Sequence, residues 1–226
     1  MSYHQHIPAG FLDSDVNLMA NRIQARHAIL VDGFRHVIAD STVLLLGAED
    51  GRWCYTFAAA GALHVVGVEE SNDMVSRFLQ LPEIGLGERI EMREANPIEA
   101  LATDAEAGRT YDIVVLFDVI DRLGNLHALL HAIRAVKPRL VVIDGLFAMT
   151  DDAVFVMENH RGPVPESYVN PRLIPSRGAI AKAARDTGFE MDWIDWSRLP
   201  EEDRLGLSDY YQSGPQRRQS LTLMPT

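Results

Sequence analysis

Apolar residues in this chain gather into short unbroken runs, separated by stretches in which they recur every third or fourth position. The runs are Thr42-Val43-Leu44-Leu45-Leu46, His64-Val65-Val66-Gly67-Val68, Tyr111 to Phe117 and Leu140-Val141-Val142-Ile143. Each has the length of a strand and is too continuously apolar to leave a face in water, as in a parallel sheet covered on both sides. The stretches between them have the helical period. Leu126, Leu129, Leu130, Ile133 and Val136 predict a helix over Leu126–Val136, which Pro138 stops. Leu18, Met19, Ile23, Ile29, Leu30, Phe34, Val37 and Ile38 predict one from about Val16 to Ile38, with Asp13, Ser14 or Asp15 as its cap. Further helices are predicted from Trp53 to Ala60, closed by Gly61, and from Asn72 to Gln80; Ile90–Glu94 reads as a short third strand. Helix and buried strand alternate, which gives an α/β doubly wound sheet with helices on both faces.

Beyond Asp144-Gly145 the pattern loosens. Ala153–Met157 suggests an extra strand, and His160–Pro175, rich in proline and glycine, reads as a lid or substrate loop. Ser176–Thr187 is a capped helix closed by Gly188, and Phe189–Trp196 and Gln219–Met224 read as closing strands. The expectation is one domain over residues 1–226. Residues 1–40 form a helical cover, 42–145 the core, and 146–226 the substrate loop and closing strands.

Composition narrows the function. Thirty-two acidic against 21 basic residues give a net charge of -11. Such a chain repels phosphate backbones, so nucleic acid is not the favoured partner. A single cysteine, Cys54, excludes an internal disulfide framework and suits a reducing cytoplasm. The N-terminus has no signal-peptide core, and no apolar run approaches the roughly 20 residues that span a bilayer. A homodimer is compatible with all of this.

The turn Gly47-Ala48-Glu49-Asp50-Gly51 follows the first strand. It lacks the G-x-G-x-x-G of dinucleotide sites, and Glu49 would repel a pyrophosphate, which argues against a nucleotide-dependent oxidoreductase or epimerase. A cationic ligand without phosphates fits better. Carboxylates at the turn can receive an ammonium and ribose hydroxyls.

Taken together, Val43 to Gly51, the acid Glu69 at the end of the second strand with Glu70 beside it, Asn96-Pro97 after the third, and Tyr111 to Asp118 resemble the class I S-adenosylmethionine-dependent methyltransferases. The resemblance covers about Val43 to Gly145. It implies a Rossmann-like, seven-stranded, mostly parallel sheet with an N-terminal helical extension. It also implies S-adenosylmethionine as cofactor, held by Gly47, Ala48, Glu49, Asp50, Gly51 and Trp53 around the turn. Glu69 and Glu70 would hold the ribose, Asn96 and Pro97 the adenine, and Phe117, Asp118 and Val119 the methionine part. Leu45 and Glu49 depart from the family's usual acid and glycine. Asn170 to Ser176 and the helix after it look like the C-terminal part of tRNA wobble-uridine carboxymethyl-transfer enzymes and of several sugar or natural-product O-methyltransferases.

The implied reaction is methyl transfer to a small-molecule acceptor, a hydroxyl rather than a nitrogen, of a sugar or natural-product-like metabolite. A tRNA-modifying enzyme, with Arg22, Arg26, Arg172 and Arg177 as its basic stripe, and a non-catalytic binding subunit are the alternatives. Many relatives have Tyr-His where Asp121-Arg122 stand, so the candidate bases are Asp121, Asp144 and His160. Asp118 and Asp144 end adjacent strands and could share a cation such as Mg²⁺; equally, each could cap the helix that follows. The remaining candidates have plainer readings. His127 and His131 lie on a helix surface without a third metal ligand, and Asp151-Asp152 is a solvated turn. Trp193, Trp196 and Cys54 pack, and Arg217-Arg218 is an edge-strand charge.

Overall fold

The structure, a computed structural model, describes residues 13–80, 85–159 and 171–226, with side chains from residue 18 onward. His160 and most of the segment read as a lid therefore lie outside the described residues.

Seven strands form one sheet: β1 (Thr42–Leu46), β2 (His64–Glu69), β3 (Ile90–Glu94), β4 (Ile113–Phe117), β5 (Leu140–Ala148), β8 (Phe189–Trp193) and β9 (Gln216–Pro225). Their order is β3-β2-β1-β4-β5-β9-β8. The first five are parallel, and β9 runs antiparallel between β5 and β8. The order reverses at β1, whose neighbours are β2 and β4. The crevice at the carboxyl ends of these strands is where ligands bind in such sheets. β5 runs five residues past Ile143 because β9 pairs with it as far as Ala148↔Gln216. The segment expected to be a loop contributes a strand: β7 (Arg172–Pro175) pairs antiparallel with β6 (Phe155–Glu158).

Period-two alternation divides the core into two layers. Leu44, Leu46, Val66, Val68, Val114 and Leu116 face one side. There they meet Leu101 of α5 (Pro97–Glu106), Leu129 and Ile133 of α6 (Leu126–Ala135) and Ile180 of α7 (Arg177–Asp186). Val43, Leu45, Val65, Ile113 and Val115 face the other. They meet Leu30 of α1 (Asp13–Leu30), Ile38 of α2 (Arg35–Ile38), Phe57 of α3 (Arg52–Ala59) and Tyr210 of α8 (Ser208–Tyr211). α4 (Asn72–Phe78) lies beside β2 and β3.

The helix expected to run unbroken to Ile38 stops at Leu30 and resumes after a 3₁₀ turn at Asp32–Phe34. Asp32 accepts from Arg35 Nε at 3.1 Å. A short acidic side chain that bonds locally, followed by Gly33, favours a turn over a continuing helix. The apolar period survives the break because α2 still packs Ile38 into the core.

Gly67 marks a close approach of α3 to the sheet. A Cβ there would stand 2.4 Å from Met92 Sδ, 2.7 Å from Cys54 Sγ and 2.9 Å from Ala48 Cβ. Cys54 is fully buried, and burial pushes its thiol up to about 12, which makes it a packing residue. Gly67→Val introduces a better strand former but overpacks this contact, so it should destabilise the protein by about 1–3 kcal/mol. A fall in the urea midpoint without a change of slope is the expected reading.

Candidate active site

The turn after β1 is clipped to the end of β2 by one side chain. Gly47 and Ala48 donate their N–H groups to the Val68 carbonyl at 2.9 and 3.0 Å. Glu49, at φ +50°, donates its N–H to Glu69 Oε2 at 3.0 Å, and Ser71 N–H donates to Glu69 Oε1 at 2.9 Å. Glu69 is 2% exposed. A carboxylate buried to that degree and bonded at both oxygens fixes the two strand ends relative to each other. Gly47 has φ +72°, and a Cβ on it would lie 2.8 Å from Val119 Cβ, so only glycine lets the turn pass beneath the loop after β4.

Across the crevice, Asn96 caps α5: its Oδ1 accepts from Ile98 N at 3.0 Å and Glu99 N at 3.3 Å, and its Nδ2 bonds to Glu70. Pro97 occupies the first helical position, where its missing N–H costs nothing. Asn96, Pro97 and Ile98 form one wall of a cavity of about 200 Å³. Gly47, Glu49, Glu69, Glu70, Phe117, Asp118 and Val119 also line it. The remaining lining residues are Arg122, Leu123, Pro171 and Arg172.

At the end of β4, Asp118 takes φ +60° and turns its carboxylate to Arg26 Nη2 of α1 at 2.8 Å and to Arg218 of β9. Arg218 reaches Asp144 at 2.8 Å and Asp209 at 2.9 Å, and Arg22 grips Asp209 at 2.6 and 2.8 Å. Asp144 is fully buried and accepts from Tyr210 Oη at 2.5 Å and Ser220 Oγ at 3.2 Å. Three aspartates and three arginines thus meet at and behind the cavity wall, which Asp118 itself lines. Burial pushes the Asp118 carboxyl up, and Arg218 and Arg26 outweigh it, holding the group at about 2. Burial and the neighbouring Asp144 lift the Tyr210 hydroxyl well above the usual phenol range. Glu49 is the opposite case: burial and Asp118 raise its carboxyl, against a smaller pull from Arg122.

These positions revise several expectations. Asp118 and Asp144 cap no helix; Asn125 caps α6, accepting from Ala128 N at 3.0 Å. Nor do they form a Mg²⁺ site. Their oxygens are occupied by guanidinium, hydroxyl and phenol donors, and a cation would have to displace Arg218. Among the described residues, no group of three or more His, Cys, Asp or Glu side chains is placed to hold a metal ion. Arg217-Arg218 is not an edge-strand charge, because β9 lies inside the sheet, between β5 and β8. Asp144 stands behind the cavity, and Asp121, 1% exposed, is ion-paired with Arg172.

Of the turn residues, Ala48 is buried beneath the turn and Asp50 pairs with Arg52 at 2.9 and 3.0 Å. Gly51 starts α3 with φ +78°. Trp53 stacks edge-on against Phe117 at 5.0 Å with the Arg26 guanidinium 5.2 Å over its ring, so it supports the wall without lining it. The cavity adds Ile98, Arg122, Leu123, Pro171 and Arg172 to the expected set. Arg122 and Leu123 were within reach of sequence reasoning, since they sit in the same loop as Asp121. The pairing of Arg172 with that loop depends on the β6–β7 hairpin, for which the sequence carried only a loose signal.

The model of the methyltransferase domain family matches residues 34–194, more than half of the chain. The chain belongs to the class I S-adenosylmethionine-dependent methyltransferases. Solved structures share the fold. The N-terminal domain of EvdMO1, crystallised in the presence of SAH and D-fucose, superposes with a TM-score of 0.67 at 14% identity, covering 97% of this chain and 100% of that one. An S-adenosylmethionine-dependent methyltransferase from Listeria monocytogenes, described as putative in its own structure, gives 0.62 at 13% identity over 90% and 98%. Magnesium protoporphyrin IX methyltransferase from Synechocystis with bound SAM gives 0.55 at 16% identity over 93% and 80%. None of the curated proteins matches.

Two outcomes follow for this methyltransferase. Glu69→Ala removes the acceptor of two backbone N–H groups, and should weaken S-adenosylhomocysteine binding by about 1–3 kcal/mol in a calorimetric titration. Asp118 has a folded pKa of about 2, below its unfolded value. Its stabilising contribution is therefore complete above pH ~4 and is lost as pH falls towards 2. Urea midpoints measured from pH 5 to pH 2.5 should fall less steeply in Asp118→Asn than in the parent.

Proposed function

We propose that this methyltransferase transfers the methyl group of S-adenosylmethionine to a hydroxyl of a small, soluble acceptor, sugar-like or natural-product-like. The observation that carries the reading is the continuity of the cavity. One cavity takes in Glu69 and Asn96, suited to an adenosyl group, together with Leu123 and with Pro171 and Arg172 at the start of β7. The presence of D-fucose in the EvdMO1 crystals supports a sugar-like acceptor by analogy. A nucleic-acid acceptor finds no support. Arg22, Arg26 and Arg172 of the supposed basic stripe are each bonded to an aspartate, and Arg177 lies 5.0 Å over the Trp193 ring.

In this reading Glu69 and Glu70 hold the ribose hydroxyls. Pro97 and Ile98 cover one face of the adenine, and Gly47 brings backbone against the methionine portion. The donor supplies a methyl group on a positively charged sulfur. The chain's task is to bring an acceptor oxygen into line and exclude water. Of the acids at the cavity, Asp118 is matched by two guanidiniums and Glu69 is bonded by two backbone N–H groups. Glu49 is left as the carboxylate nearest the turn whose charge attracts the donor's ammonium and sulfonium. Its raised pKa also makes it a stronger proton acceptor than an ordinary glutamate.

The test has two parts. S-adenosylhomocysteine should bind the full chain in a calorimetric titration, and a panel of sugars and hydroxylated metabolites should include one that drives its release from S-adenosylmethionine. Absence of binding would reject the reading. Protonation of Glu49 removes the charge that meets the donor, so donor affinity should fall with acidification above the ordinary glutamate range. In Glu49→Gln that pH dependence should vanish, with affinity held at the weaker limit.

A further inference from the structure

Two consecutive residues of the cavity wall, Phe117 and Asp118, are held from behind by one guanidinium that is not itself in the wall. Arg26 Nη2 donates to Asp118 Oδ2 at 2.8 Å. The same guanidinium lies 5.7 Å from the centre of the Phe117 ring and 5.2 Å from that of Trp53, which meets Phe117 edge-on. A planar cation can do both at once, its edge pairing with a carboxylate while its face covers aromatic rings. Asp118 has φ +60° at the bend where the chain leaves β4. A residue other than glycine keeps that conformation only where its surroundings hold it.

Arg26 does more than balance charge. Arg218 also pairs with Asp118, so the carboxylate has a second counter-ion. The ring beneath Arg218 is that of Tyr210, which stands outside the cavity wall, whereas the ring beneath Arg26 is in it. Arg26 is 8% exposed, and its Nε is buried without a hydrogen-bond partner, 3.6 Å from Asp144 Oδ2. A buried donor left unbonded is destabilising, so this guanidinium is oriented for Asp118 and the two rings and not for the largest number of hydrogen bonds.

We propose that Arg26 is a positioning residue for the methyl donor: it fixes Phe117 and Asp118 as the surface on which the methionine part rests, and so makes the first helix, α1, a working part of the donor site. This deepens the methyl-transfer reading and rests on it. Arg22, one turn earlier on α1, provides the contrast. Its partners are Asp209, the Gly206 carbonyl at 3.0 Å and the Tyr210 ring, all outside the cavity wall. Arg22 holds the helix; Arg26 holds the helix and shapes the wall.

The full chain and its variants are titrated calorimetrically with S-adenosylhomocysteine, whose sulfur is neutral, and with S-adenosylmethionine. Arg26→Met should weaken S-adenosylhomocysteine at least fivefold and Arg22→Met less than twofold, although both lower the urea midpoint. Arg26→Lys keeps the charge without the flat face, and should recover only part of the affinity lost in Arg26→Met. In an Asp118→Asn background the effect of Arg26→Met should shrink at least threefold, because the two changes undo one contact. Should Arg26→Met fail to fold, Arg26→Lys carries the test, with at least a threefold loss against less than twofold in Arg22→Lys. Equal losses in the Arg26 and Arg22 variants overturn the proposal, because they assign the effect to the helical cover as a whole. Unchanged S-adenosylhomocysteine affinity in the Arg26 variants overturns it too. So does tighter S-adenosylmethionine binding in Arg26→Met, which would make Arg26 a counter-charge whose removal favours the cationic sulfur. Failure of the parent chain to bind S-adenosylhomocysteine at all strikes the methyl-transfer reading, and the proposal with it.

Discussion

The carboxylate of Glu69 is the point on which the crevice turns. Two strands end side by side, and each is followed by a tight turn with N–H groups that the parallel ladder no longer satisfies. One side chain accepts from both turns, at Glu49 and at Ser71. The turns at Glu49 and at Ser71 are thereby held together, and the backbone carbonyl of the same Glu69 accepts from Ala95 N at 3.0 Å, which ties in the chain just before Asn96 and Pro97.

A second constraint lies behind the wall. Burying ions is costly, and each of the three aspartates near β4 and β5 meets at least one guanidinium in return. The arrangement joins parts of the chain that are far apart: Arg22 and Arg26 from the first helix, Asp118 and Asp144 from the central strands, Asp209 and Arg218 from the last elements. Removing Arg218, which meets all three aspartates, would leave fully buried Asp144 short of its closest guanidinium, and the ion pairs of Arg22 and Arg26 tie the first helix to the sheet. The cover's position over Phe117 and Trp53 is set by this network rather than by the apolar stripe of α1 alone, since Met19 and Ile23 remain exposed.

The sheet was legible because buried parallel strands leave an unmistakable mark. Val43 to Leu46, Ile113 to Phe117 and Leu140 to Ile143 have no polar position to confuse the period. The turn, Glu69 and Asn96 were legible for the same reason: they sit at the ends of those runs. The partners of ionised side chains were not. Nothing in the local sequence says that Arg218 crosses to Asp144 and Asp118, because that depends on β9 entering the sheet between β5 and β8. Asp144 consequently looked like a base or a ligand when it is a counter-ion. Asp121 likewise looked like a candidate base until β7 brought Arg172 to it. The break at Asp32-Gly33 was visible as residue types, but the apolar period running through it masked the turn.

The placement of β9 also bears on how the molecule is made. β5 and β8 do not pair with each other; β5 has β4 on one side only, and both are joined by residues 216–225. Until that stretch emerges from the ribosome, a nascent chain has an open β5 edge along one side of a long apolar strand, and Asp144 and Asp118 lack the guanidinium of Arg218. The growing polypeptide can stack its first five strands in order of synthesis, yet Asp118 in the cavity wall still lacks one of its two guanidinium partners. Assembly is then gated by the arrival of the closing strand, and the interval before it is when this enzyme is most exposed to edge-to-edge aggregation and most in need of a chaperone.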